Sequence, residues 1–158
     1  VKYLCSCITG LDEALLRVIG EDANGWYVIR CHPSSVETNL PGVRFSFELG
    51  RVCRGFEPEK VVSHYRAGML YAAFWCKAIE IAVEAVGYEN LTGRAVRDAI
   101  VKIRDWKTGI VPPATVTDER PFVVSGGERI YEIREGKIQP HSDWLPYVYH
   151  HPELTKGE

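Results

Sequence analysis

The spacing of apolar and polar positions changes several times along the chain. VKYLCSCIT, residues 1–9, is an apolar run of strand length, and LDEALLRVIG follows with Leu11, Leu15, Val18 and Ile19 at helical spacing. Gly20 ends that helix, Asn24-Gly25 makes a turn, and Trp26 to Arg30 (WYVIR) reads as a second strand. A helix between two strands predicts a parallel β-α-β unit.

From His32 to Pro58 the period is lost among scattered proline, glycine and serine residues, which predicts a long connection. Within it, Val43, Phe45 and Phe47 alternate as a short strand would. Pro58 opens a short helix over Lys60 to Tyr65, before Gly68. A stronger helix follows, with Phe74, Trp75, Ala78, Ile79, Ala82, Val83 and Val86 on one stripe, Lys77, Glu80 and Glu84 opposite, and Gly87 as terminator. Thr92 caps the next helix, which buries Val96, Ala99, Ile100 and Ile103 and ends against Trp106. The remainder is β-rich. Thr115 to Thr117 and PFVV (residues 121–124) read as strands, and Arg129 to Ile138 as a hairpin turning at Glu135-Gly136, with Tyr131 and Ile133 on one face and Glu132 and Arg134 on the other. Beyond Trp144 lies a proline-punctuated tail.

At 158 residues and 46% hydrophobic, the chain is long enough to bury one ordinary core. A formal net charge of −2 lacks the basic excess that binding to phosphate backbones needs, so no nucleic-acid partner is expected. Lys77, Glu80 and Glu84 interrupt the longest apolar stretch, from Met69 to Val86, so it does not read as a membrane span. Val1 is preceded by no methionine, and no signal-peptide pattern follows it; the expectation is a fragment, a processed form or an alternative start. The five cysteines, Cys5, Cys7, Cys31, Cys53 and Cys76, show neither a CxxC pair nor a disulfide framework and read mostly as buried thiols, with Cys5 and Cys7 facing the same side.

Candidate chemistry is sparse. His141, His150 and His151 are too irregularly spaced with the cysteines to predict a metal site. His141-Ser142-Asp143 contains triad residue types, but neighbours in sequence rarely converge, and this reads as a loop with a capping role. Asn90-Leu91-Thr92 matches a glycosylation sequon, with Thr92 reading better as the cap. There is no GxSxG elbow and no glycine-rich phosphate loop, and neither a catalytic function nor a cofactor is expected.

GMLYAAFWCKAIEIAVEAVG, NLTGRAVRDAI, TGIVPPATVTDERP and ERIYEIREGKIQPHSDW, taken in order, resemble the carboxy-terminal part of type I periplasmic substrate-binding proteins, the branched-chain amino acid and amide receptors of ABC transporters. YLCSCITGLDEALLRVIGEDANGWYVIR is similar to the family's strand, helix and turn leading into a segment that crosses between lobes. The resemblance implies a partial two-lobed α/β fold with a parallel-rich sheet, flanking helices and a C-terminal hairpin. Residues 1–30 would belong to the second lobe and a crossing strand, 31–120 to the first lobe, and 121–158 to the crossing hairpin and tail. It also implies an extracytoplasmic receptor that encloses an amino acid or related solute by hinge closure and docks on a permease. Ser6, Thr9, Tyr65 and Tyr71 are the ligand-binding candidates under this resemblance. No acid precedes Asp12 near the strand where family members hold the ligand's ammonium, which counts against a branched-chain amino acid. The alternative is a ligand-sensing or interaction domain of the same fold. A partial lobe also predicts self-association or a partner covering Trp75, Trp106 or Trp144.

Overall fold

The computed structural model describes residues 5–7, 11–119 and 125–146. Two packing units share the chain. The first is a sheet with one helix: β1 (Cys5–Cys7), α1 (Glu13–Ile19), β2 (Tyr27–Arg30), β3 (Gly127–Arg134), β4 (Lys137–Pro140) and β5 (Leu145–Pro146). The second is helical: α2 (Pro41–Arg54), α3 (Ser63–Val86) and α4 (Gly93–Ile100). Residues 31–40 lead from the first unit to the second, and residues 101–126 lead back.

The β-α-β start is as expected. β1 and β2 pair in parallel, with Ser6 opposite Val28, and α1 connects them. Asp12 caps α1 by accepting a hydrogen bond from the Leu15 amide at 2.8 Å, and Gly20, at φ 65°, ends it in a conformation that side chains avoid. The buried face differs from expectation. Leu16 is buried with Leu11, whereas Leu15 faces solvent and Val18 is 83% exposed. The rotation of α1 is fixed by Glu13, which turns inward to an ionic cluster; Leu16, three residues on, shares its face.

β3 and β4 form the expected hairpin. Glu135 and Gly136 both have positive φ, 53° and 65°, as a tight two-residue turn requires. Val28, Tyr131, Ile133 and Ile138 align across the sheet through the pairs Val28↔Tyr131 and Ile133↔Ile138, and with Leu11 and Leu16 they form the first core. The sheet is parallel only at β1–β2; β2–β3, β3–β4 and β3–β5 are antiparallel, so the expected parallel-rich character is confined to the first pair. The chain leaves β2 at Arg30 and returns beside it at Arg129, so β3 must run back along β2.

Two expectations for the helical unit are overturned. The segment read as a strand at Val43 to Phe47 is the start of α2. Pro41 sits in its first turn, and Val43, Ser46 and Gly50 point inward at helical spacing, while Phe45 is 54% exposed. Gly42 lets α2 meet residues 109–110: a Cβ there would lie 2.4 Å from the Ile110 side chain and 2.8 Å from the Gly109 carbonyl oxygen. The short helix read at Lys60 to Tyr65 is instead a single 3-10 turn, Pro58–Lys60, after which α3 runs unbroken through Gly68. Arg66, Leu70, Phe74, Ala78 and Ala82 carry α3, recurring every four residues on its buried face. That face leaves Trp75, Ile79 and Val86, expected inside, outside.

Thr92 caps α4 as expected, its Oγ1 accepting from the Ala95 amide at 3.1 Å. α4 and the segment after it pack on α3: Ile103 and Val116 meet Phe74 and Ala78 of α3, with Val96, Ile100 and Trp106 at the margin. Among the described residues 115–117 form no continuous strand, though Thr117 sits in an isolated bridge and Trp106 and Ala114 make an antiparallel one; residues 121–124 lie outside the described residues. Cys53 and Cys76 are exposed and Cys31 is half-buried, against the expectation of buried thiols. For Cys76 the cause is the same phase of α3 that turns Trp75 outward. Cys5 and Cys7 lie in β1. Among the described residues no helix is long and apolar enough to cross a membrane.

Candidate functional site

The two units meet at a buried ionic junction assembled from the end of β2, the start of α1, the first crossing segment and the start of α3. Arg30, the last residue of β2, has no exposed side-chain surface; its Nη2 donates to the Leu11 carbonyl and to Ser63 Oγ, both at 2.9 Å, and its Nη1 lies 3.6 Å from Glu13. Arg66, one turn into α3, donates to the carbonyls of Pro33 and Val61, to Ser35 Oγ at 2.8 Å and to Glu13 Oε1 at 3.1 Å.

Glu13 is the hub. Its Oε1 accepts from the Ser35 amide and hydroxyl, and its Oε2 from the Ser63 amide at 2.9 Å and hydroxyl at 2.6 Å. The N-cap residue of α3, Val62, offers no side-chain acceptor. A carboxylate from α1 therefore supplies the missing cap, where the helix dipole favours negative charge. Burial pushes the Glu13 pKa up, but Arg30, the Ser63 hydrogen bonds and Arg66 outweigh it and hold it at about 2. Two guanidinium groups share this one carboxylate, and a net positive charge stays buried.

A second buried carboxylate ties the first crossing segment to β3. Glu37 accepts from the Ser34 amide at 2.8 Å, from Tyr131 Oη at 2.9 Å and from Arg129 Nη1 at 2.5 Å. Burial and the Glu37 charge keep the Tyr131 phenol protonated by raising its pKa. His32 is buried beside the junction, and neither ring nitrogen has a hydrogen-bond partner among the described residues. Burial, then repulsion by Arg30 and Arg66, lowers its pKa to about 3, so it is neutral at neutral pH. Its ring meets that of His64 edge-on at 6.4 Å, and His64 Nδ1 donates to Asp12 Oδ2 at 2.8 Å, another bond between the units.

Of the four ligand-binding candidates, Tyr65 and Tyr71 lie on α3 beside this junction and make none of its hydrogen bonds. Tyr65 is half-buried and packs edge-on against Phe56 at 6.2 Å. Tyr71 is 47% exposed, and its phenol pKa is raised by partial burial and by Cys31. Six positions apart on α3, the two tyrosines occupy different sides of the helix. Ser6 lies in the middle of β1, and Thr9 falls outside the described residues. Sequence reading missed Glu13, Arg30, Arg66, Glu37 and His32. The available signal was phase: Arg66 falls four residues before Leu70, on the stripe that continues through Phe74 and Ala78.

The loop His141-Ser142-Asp143 has the expected capping role: Ser142 Oγ accepts from the Ile130 amide at 3.1 Å and donates to the Asp143 carbonyl at 2.7 Å. Among the described residues no group of three or more His, Cys, Asp or Glu is placed to hold a metal ion; His150 and His151 lie outside them.

No protein-family model matches the chain, and no curated protein does. Solved structures do. A branched-chain amino acid ABC transporter protein from Thermus thermophilus, with bound valine, superposes with a TM-score of 0.78 at 23% identity, over 91% of this chain and 39% of that one. The chain carries part of the type I periplasmic-binding-protein fold. A substrate-binding protein of an ABC transporter from Aeropyrum pernix matches at TM-score 0.73 and 19% identity, over 99% of this chain and 41% of that one. A leucine-binding protein from Thermotoga maritima matches at TM-score 0.56 and 16% identity, over 89% and 36%. The chain thus spans about two-fifths of the length of the periplasmic-binding-protein structures it matches. At these identities the likeness is one of fold.

Proposed function

We propose that the chain is part of the extracytoplasmic solute-binding component of an ABC transporter, for amino acids or related small solutes. The observation that carries this reading is the pair of packing units joined by two crossing segments at one polar junction, within a fold shared with such receptors. In this reading residues 1–30 belong to the second lobe, 31–120 mainly to the first, and 121–158 to the returning hairpin and tail. Solute is enclosed when the lobes rotate together, and the closed form docks on the permease. No bond of the solute is made or broken. Ser6, Thr9, Tyr65 and Tyr71 are the wall this chain contributes.

The junction gives the hinge its stiffness. Glu13 and Arg30 of the sheet unit both bond Ser63 of the helical unit, so rotation bends the crossing segments while this contact holds the pivot. The test is a chimera in which this chain replaces the matching part of the Thermus thermophilus protein. Calorimetry across leucine, valine, an aliphatic amide and an aromatic acid should show stoichiometric binding of one class. A folded chimera that binds none of them would overturn the reading.

A further inference from the structure

Arg30, His32 and Ser34 fall at alternate positions where β2 leaves the sheet for the first crossing segment, and each is 1% exposed or less. Burying a polar atom without a hydrogen bond is costly, so such an atom marks a place where another group supplies the partner. Among the described residues, all the buried side-chain nitrogen and oxygen atoms without a partner belong to these three: Arg30 Nε and Nη1, both ring nitrogens of His32, and Ser34 Oγ. Arg30 Nη1 lies 3.6 Å from Glu13 Oε1, an ion pair too long for a hydrogen bond, while the Glu13 oxygens accept from Ser35, Ser63 and Arg66.

The chemistry of these atoms is one-sided. Arg30 Nε and Nη1 only donate, neutral His32 offers one N–H and one accepting nitrogen, and Ser34 adds a hydroxyl. Donors outnumber acceptors, so a group that bonds all three side chains has to accept, and a group that only accepts is an anion. The charges facing His32 are Arg30 of β2, Arg66 and His64 of α3 and Glu13 of α1, with Arg30 acting on it most strongly. The other carboxylates of the junction are engaged elsewhere, Glu37 with Arg129 and Tyr131 and Asp12 with His64. The cavities of about 360 Å³ beside α1 and about 500 Å³ between α2 and α3 are lined by other residues, so an occupant here has the size of a single ion, not of an organic solute.

We propose that Arg30, His32 and Ser34 bind a small inorganic anion of the size of chloride at the start of the first crossing segment. The anion accepts from Arg30 Nε–H, from the His32 N–H and from the Ser34 hydroxyl, and so ties the crossing segment to the end of β2. It also favours the protonated imidazole, and the coupling is reciprocal: a proton on His32 favours the anion. The His32 pKa, about 3 with no anion bound, rises when the anion binds, and anion affinity rises as the pH falls. The proposal does not depend on the transporter reading, since it concerns the chain as it stands.

The probe is sodium chloride, exchanged for sodium gluconate at constant ionic strength, because gluconate is too large to be buried among these side chains. The melting temperature of the chain is expected to rise with chloride along a one-site curve, with its midpoint at lower chloride in mildly acidic buffer than at neutral pH. The chloride NMR resonance is expected to broaden in the presence of the chain. His32→Phe is expected to move the midpoint to at least about tenfold higher chloride and Ser34→Ala to at least about threefold higher. Ser34→Ala, which removes one hydroxyl, keeps the test open should His32→Phe fail to fold. Identical melting in chloride and gluconate, or a midpoint that does not fall with pH, would overturn the proposal. A chloride effect unchanged in the folded variants would also overturn it, as the mark of an adventitious ion only.

Discussion

Replacing Glu13 by glutamine removes the carboxylate that Arg30 and Arg66 share in the junction while keeping the side-chain shape. Its pKa falls from 4.5 to about 2 on folding, a difference equivalent to about 3 kcal/mol of stability at neutral pH. Leaving buried guanidinium groups without their partner costs about 3–5 kcal/mol in comparable cases, so the two routes agree. That is a large share of the ~5–15 kcal/mol total stability of a typical domain. Urea unfolding followed by tryptophan fluorescence at pH 7 should show Glu13→Gln losing about 3 kcal/mol with an unchanged slope against urea. Because the folded pKa is depressed, the carboxylate's contribution is complete above pH 4.5 and disappears as pH falls through about 2. The gap between wild type and variant should therefore close as the pH is lowered through that window. A loss below about 1 kcal/mol at pH 7, or a gap that stays constant down to pH 2, would refute the assignment of Glu13 as the charged hub.

His32 adds a second acid-sensitive contribution: with its folded pKa near 3 against 6.5 unfolded, protons bind the unfolded chain first, and stability falls from pH 6.5 towards 3. His32→Gln should flatten that part of the pH–stability curve, which chemical unfolding at half-unit pH steps will read. Gly42→Ala should cost about 1–3 kcal/mol in thermal or urea unfolding, because its methyl would meet the Ile110 side chain and the Gly109 carbonyl. Maleimide labelling of the native chain should modify Cys53 and Cys76 rapidly and Cys31 more slowly, as peptide mass mapping will show. The unextended chain should bind free leucine, isoleucine and valine weakly or not at all by calorimetry, since it spans about two-fifths of the matched structures and a closed cleft needs two facing walls.

The elements whose local chemistry dominates were legible. The cap Thr92, the terminators Gly20 and Gly87, and the Glu135-Gly136 turn each act through their own backbone neighbours, and each stands where the sequence puts it. Segments decided by distant contacts were not. Val43 to Phe47 alternates as a strand would, but Pro41 in the first turn and the Gly42 approach to Ile110 make it a helix. Gly68 reads as a break, yet buried positions before and after it hold α3 continuous. The junction was the least legible part. Charged residues are ordinarily placed at the surface, and only the long-range meeting of Glu13, Arg30 and Arg66 compensates their burial. Tyr65 drew attention as an aromatic residue, whereas its neighbour Arg66 enters the junction.

The proposed hinge rotation about this junction is measured most directly as a distance. In the chimera, with other cysteines replaced, spin labels at the exposed Cys53 of α2 and at Val18→Cys of α1 report the separation of the two units. Pulsed electron resonance should show the Cys53-to-18 distance change by more than about 2 Å when a bound solute is added, with Glu13→Gln broadening the distribution in its absence. A distance that stays the same with solute stoichiometrically bound would contradict the account.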